Sequence, residues 1–137
     1  MKSIGDLKNV ENFNQGTKHN ALKHIFEGEI NAKTGQAMGF HYEGFSTSKG
    51  KIIGNVDPPN EFGVYRANVE IEGVLKGPKT TFFPKNYSPQ DVVDAINEAF
   101  ANKEVYKNNI YRGKSKAGLE IEFVIKKGKI DSAYPLY

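Results

Sequence analysis

The sequence predicts an α+β domain: a helical N-terminal region, then a mostly antiparallel β-sheet with one packed helix. Three observations carry this reading. Residues 65–72 alternate, with Tyr65, Ala67, Val69 and Ile71 against Arg66, Asn68, Glu70 and Glu72, as a half-buried strand does. The stretch "SPQDVVDAINEAF" holds a complete helix start, with Ser88 as N-cap, Pro89 at the first position and Asp91 in the first turn. Neither βαβ alternation nor a glycine-rich phosphate loop occurs, which sets aside a parallel, doubly wound architecture.

The elements follow in order. Residues 1–19 are polar and read as a loose arm, with one helical turn around Leu7 to Val10. Residues 20–137 form the folded domain. "TKHNALKHIFEG" puts Ala21, Leu22, Ile25 and Phe26 on one helical face, and Gly28 stops the helix. "AMGFHYEGF" reads as a strand with Met38, Phe40 and Tyr42 on the face opposite His41. "STSKGKIIGNVDPPNE" is turn-rich, a loop around one short strand. "KTTFFP" is a strand ended by Pro84. The second helix buries Val92, Ala95, Ile96, Ala99 and Phe100 as a stripe. The C-terminal "GLEIEFVIKKGKIDSAYPLY" reads as a hairpin. Leu119, Ile121, Phe123 and Ile125 alternate with charged residues, the turn lies near Lys127-Gly128, and Ile130, Ser132 and Tyr134 share one face.

Composition narrows the function classes. A chain of 137 residues is too short for two ordinary cores. Lys and Arg number 19 against 16 Asp and Glu, a mild excess that permits a polyanionic partner without requiring one. There is no cysteine, which excludes disulfides, zinc–thiolate sites and a thiol nucleophile together. No run is long and apolar enough for a signal peptide or a membrane span. The chain is therefore read as cytosolic or as a module of something larger.

Two histidines draw attention, His24 in "HIFEG" and His41 in "GFHYEG". With Glu27 and Glu43 they make a four-donor set on paper, but no pair at His-x-x-x-His spacing arranges two ligands on one helical turn. No metal or cofactor is expected. His19 reads as an ordinary surface or core histidine. Lys33, Lys49, Lys51, Lys114 and Lys116 read as a solvated face or as phosphate contacts. Taken singly, these features reach only a soluble α+β domain.

Four blocks in sequence order, "HIFEGEINAKTGQAMGFHYEG", "GVYRANVEIEGVLK", "TTFFPKNYSPQDVVDAINEAF" and "GKIDSAYP", resemble the EndoU family of endoribonucleases, and its bacterial toxin branch in particular. The resemblance covers residues from about 20 to the C-terminus. It implies an EndoU/barnase-like RNase fold and metal-independent cleavage of RNA, tRNA included, beside uridine. In that chemistry the ribose 2′-oxygen attacks phosphorus and leaves a 2′,3′-cyclic phosphate. One imidazole takes the 2′-OH proton and another protonates the departing oxygen, work that suits a side chain titrating near neutrality. The resemblance assigns that pair to His24 and His41. Lys76 is expected to offset phosphate charge, in preference to Lys79, because the lysine must reach from a strand end. Tyr134 joins the catalytic set, its ring stacking on a base, while Ser132, Thr81 and Lys79 contact substrate. Met38 stands where many relatives carry a second glycine. The partners implied are RNA and a cognate acidic immunity protein, with a monomeric domain delivered by a larger secreted or cell-surface protein into a target cell's cytoplasm. Two other classes stay open at this point, a non-catalytic RNA-binding relative and a metal-dependent nuclease.

Overall fold

The computed structural model describes residues 3–137. The fold is α+β; among the described residues there are two α-helices, α1 (Ala21–Phe26) and α2 (Pro89–Ala101), and ten strands, every pairing between them antiparallel. Strands β7 (Glu104–Lys107), β8 (Ile110–Lys114), β9 (Glu120–Lys126) and β10 (Lys129–Pro135) form a four-stranded meander. A second sheet is built on β4 (Tyr65–Ile71). On one side it pairs with β3 (Gly50–Asp57); on the other, β5 (Val74–Leu75) and β6 (Thr80–Phe82) lie end to end along its edge. A two-stranded ribbon joins β1 (Glu29–Ile30) to β2 (Ala37–Met38).

Apolar patterning accounts for the layers. β4 buries alternate residues along its length, and α2 buries Val92, Ala95, Ile96 and Ala99, with Val93 added and Phe100 only half-buried. The α2 start is a capping box: the Ser88 hydroxyl accepts from the Asp91 N–H while the Asp91 carboxylate accepts from the Ser88 N–H. One core cluster joins α1, α2 and the meander through Leu22, Phe26, Ile96, Ile121 and Phe123; another gathers Phe40, Tyr65, Val69, Ile71 and Phe82 on the second sheet. The two sheets approach where β10 runs beside β6.

Several expected elements differ. The N-terminal segment is packed rather than loose: Leu7 and Phe13 are buried, Phe13 bridges to Ile130, and a single 3-10 turn occupies Ile4–Asp6. Its two large apolar side chains supply the reason. β3 is longer than a short strand within a loop, because its pairing with β4 continues past a bulge at Ile53/Val56. The expected strand over "AMGFHYEGF" stops at Met38. Gly39 (φ 79°) and Phe40 (φ 71°) are both left-handed, so alternation fails and Phe40, His41 and Tyr42 are all buried. In β10 a register shift between Ile130 and Ser132 rotates the strand. Ile130 and Ala133 face the core, while Ser132 and Tyr134 turn the other way. Residues Ile130, Ser132 and Tyr134 therefore do not share one face.

Candidate active site

The six-residue helix α1 is too short to stand alone and depends on packing and its caps. Asn20 accepts from the N–H groups of Leu22 and Lys23 at one end. At the other, the left-handed Gly28 (φ 82°) sends its N–H back to the Lys23 carbonyl. Two more helix carbonyls would lack partners. The Phe40 N–H binds the carbonyl of His24 at 2.9 Å, and the His41 N–H binds that of Ile25 at 2.7 Å. The unsatisfied end of α1 thus captures the segment that carries the second histidine. Gly39 makes the approach possible, because a Cβ there would stand 2.1 Å from the His24 carbonyl oxygen. The two imidazole rings end with their centroids 6.2 Å apart.

The rings occupy different environments. His41 Nδ1 lies 2.8 Å from the Thr81 carbonyl, which can only accept, so Nδ1 carries hydrogen and neutral His41 keeps its lone pair on Nε2. Burial, then the nearby positive charge of Lys76, holds the His41 pKa well below the usual histidine value. His24 Nδ1 lies 2.7 Å from the Glu29 carboxylate, whose own pKa is lowered mainly by that hydrogen bond. Glu29 is reached because the left-handed Gly28 turns the chain two residues after the helix. The sequence reading missed Glu29, although its place just beyond the helix stop was a usable signal.

Both histidines line a cleft of about 660 Å³ together with Met38, Gly39, Lys76, Lys79, Thr81, Ser132 and Tyr134. The structure therefore brings His24, His41, Lys76, Lys79, Thr81, Ser132 and Tyr134 to one place, but not in equivalent states. Lys76 leaves the edge of the second sheet between β5 and β6, and its ammonium donates to the Gly39 carbonyl at 3.0 Å. Burial pushes its pKa down to about 8. Lys79 instead binds Asp57, at 3.0 and 3.2 Å to its two oxygens, near Arg66. The Tyr134 ring stacks on His41 with centroids 5.3 Å apart and planes 23° from parallel. Its hydroxyl donates to Glu122, which also accepts from Arg112; burial and that bond raise the phenol pKa, so it stays protonated. Thr81 anchors His41 through its carbonyl, and its hydroxyl is buried with no hydrogen-bond partner among the described residues.

The four-donor set His24, Glu27, His41 and Glu43 does not assemble. The Glu27 carboxylate accepts from Thr47 and that of Glu43 from Tyr65. His19 is more engaged than an ordinary surface histidine: its ring centroid is 5.6 Å from that of His24. No helix among the described residues is long and apolar enough to cross a membrane.

Comparison with known proteins adds to this geometry. The model of the bacterial EndoU nuclease family matches residues 18–137. A curated protein of Bacillus cereus (strain ATCC 14579) named "Toxin" is 44% identical over 140 residues, a match covering 96% of this chain and 24% of the relative. The chain thus spans about a quarter of the length of that relative. No solved structure matches the chain.

Proposed function

The chain belongs to the bacterial EndoU nuclease family, and we propose that it is a metal-independent endoribonuclease that cuts RNA, tRNA included, beside uridine. The observation that carries this reading is the pair of imidazoles 6.2 Å apart at one cleft with the Lys76 ammonium. Neutral His41 offers Nε2 as the base for the 2′-OH proton. The 2′-oxygen then bonds to phosphorus as the bond from phosphorus to the 5′-oxygen breaks. His24, with the Glu29 carboxylate compensating an imidazolium charge, gives its proton to the departing oxygen. Lys76 offsets the charge that builds on the non-bridging oxygens. Tyr134 holds the His41 ring in place and extends the aromatic surface available to a base, while Ser132 reads the base edge.

Product analysis tests the reading. Cleavage of a uridine-containing RNA should continue in EDTA and yield ends bearing a 2′,3′-cyclic phosphate. Loss of cutting on chelation, or 5′-phosphate products, would refute it.

Lys76 gives a pH signature. The ammonium is charged below about pH 8 and neutral above it, so its contribution disappears as pH rises through that value. Lys76→Arg keeps its charge throughout. The wild-type rate relative to Lys76→Arg should therefore fall across this range, and a constant ratio would remove Lys76 from the charge-stabilising role. At the other end, His41 accepts a proton only well below pH 6.5, so base function should persist below the range of an ordinary histidine.

Tyr134→Phe keeps the stack on His41 and loses only the bond to Glu122, whereas Tyr134→Ala loses both. The alanine variant should lose about 1 to 3 kcal/mol more of transition-state stabilisation. Ser132→Ala should relax the preference for uridine over cytidine more than it slows cutting. Equal effects of all three changes at uridine and cytidine sites would contradict a base-reading role.

We also propose that the domain is the toxic module of a longer delivered protein, acting in a target cell's cytoplasm. The match to one quarter of a protein named "Toxin" supports this. An acidic immunity protein is the fitting antagonist, because a carboxylate near Lys76 imitates the scissile phosphate and covers the histidines.

A further inference from the structure

The Nδ1 edge of His24 is a meeting point for more than one partner. Glu29 Oε2 stands 2.7 Å from His24 Nδ1 and 3.6 Å from His19 Nδ1. The three ligand atoms lie within 4.8 Å of one another. In a tetrahedral zinc site with bonds near 2.1 Å, neighbouring ligand atoms are about 3.4 Å apart. Side-chain shifts of about an ångström would therefore complete such a set.

The second observation concerns the hydrogen on His19. Its Nε2 lies 2.7 Å from the Asp131 carbonyl, at the register shift in β10, and must donate to it. In neutral His19 the lone pair therefore sits on Nδ1, 3.6 Å from a carboxylate oxygen. Two electron-rich atoms are neighbours there, a position that a proton or a metal cation stabilises. A carbonyl holding the far nitrogen of a ligating histidine is also the usual outer support of a metal site. The side chains of His19 and Glu29 are each 30% exposed, so an ion can reach them and a water can complete its coordination.

We propose that His19, His24 and Glu29 form a regulatory site for a divalent transition ion, zinc above all, and that occupancy switches cleavage off. Two imidazole nitrogens and one carboxylate favour zinc, cobalt, nickel or copper over magnesium and calcium, which take oxygen ligands. An ion on His24 Nδ1 displaces the hydrogen there and confines the ring's remaining hydrogen to Nε2. Giving up that hydrogen would leave an imidazolate on the ion, so the ring becomes a far weaker acid towards the departing oxygen than the imidazolium it replaces. Only this inhibitory consequence rests on the nuclease reading; ion binding does not.

Isothermal titration of the metal-free protein with zinc chloride tests binding without RNA. The wild type and His41→Ala should bind one zinc alike, and magnesium should give no binding. His19→Gln, whose amide can still donate to the Asp131 carbonyl, should bind about tenfold or more weakly, as should Glu29→Gln. In parallel cleavage assays zinc should inhibit the wild type, EDTA should reverse the inhibition, and His19→Gln should cut in the presence of zinc. Equal zinc affinity of the wild type and folded His19→Gln and Glu29→Gln variants, or no zinc binding by the wild type, would overturn the site. Zinc binding with that variant pattern in a protein that cuts no RNA would leave the site standing and remove the nuclease reading.

Discussion

His41→Ala is expected to slow RNA cleavage by roughly two to four orders of magnitude, the range typical of a positioned acid or base. The backbone around it should survive. Its N–H remains on the Ile25 carbonyl and its own carbonyl still accepts from Phe83, so the segment keeps its attachment to α1 and to the strand end. What disappears is the imidazole, its bond to the Thr81 carbonyl and its stack with Tyr134. That loss should lower stability by about 1 to 3 kcal/mol, far less than its effect on rate. His24→Ala should slow cleavage comparably, because it removes the second proton carrier and leaves Glu29 without its closest partner. Thermal unfolding by circular dichroism separates the two effects. A folded variant of either histidine cutting at the wild-type rate would show that the pair does not perform the chemistry.

The parts of the fold that could be read from sequence are those where one local rule dominates. Ser88, Pro89 and Asp91 sit where helix-start chemistry predicts, and β4 shows the alternation that its sequence spells out. The C-terminal hairpin turns at Lys127 and Gly128, both left-handed. The failures lie where tertiary contacts override the pattern. Phe40 adopts a left-handed backbone because the end of α1 and the space beside Gly50 hold it there. Pattern reading left β7 and β8 unassigned: all four residues of β7 are exposed, so no apolar period marks it. The displacement at Asp131 redirects Ser132 and Tyr134, yet it leaves no trace in a run that simply alternates.

The candidate site divides in the same way. His24 and His41 were visible as residues, but their meeting depends on hydrogen bonds between the helix end and a distant segment, which no spacing encodes. Lys76 and Lys79 look equivalent in "LKGPK"; only the fold places one ammonium on the Gly39 carbonyl and the other on Asp57. Tyr134 is a ring against His41 with its hydroxyl already engaged by Glu122. That favours a role for the ring over one for the phenol proton.

In the proposed reaction the ribose 2′-oxygen is the nucleophile and His41 its base. Without that oxygen the geometry has nothing to activate, because attack by water would place the nucleophile elsewhere and leave no cyclic product. Two oligonucleotides that differ only at one uridine, ribose in one and 2′-deoxyribose in the other, test this directly. The ribose substrate should be cut beside that uridine, with a 2′,3′-cyclic phosphate resolved by mass spectrometry. The deoxy substrate should remain intact at that position under the same conditions. Cutting of the deoxy substrate at a comparable rate would exclude the 2′-oxygen as the nucleophile.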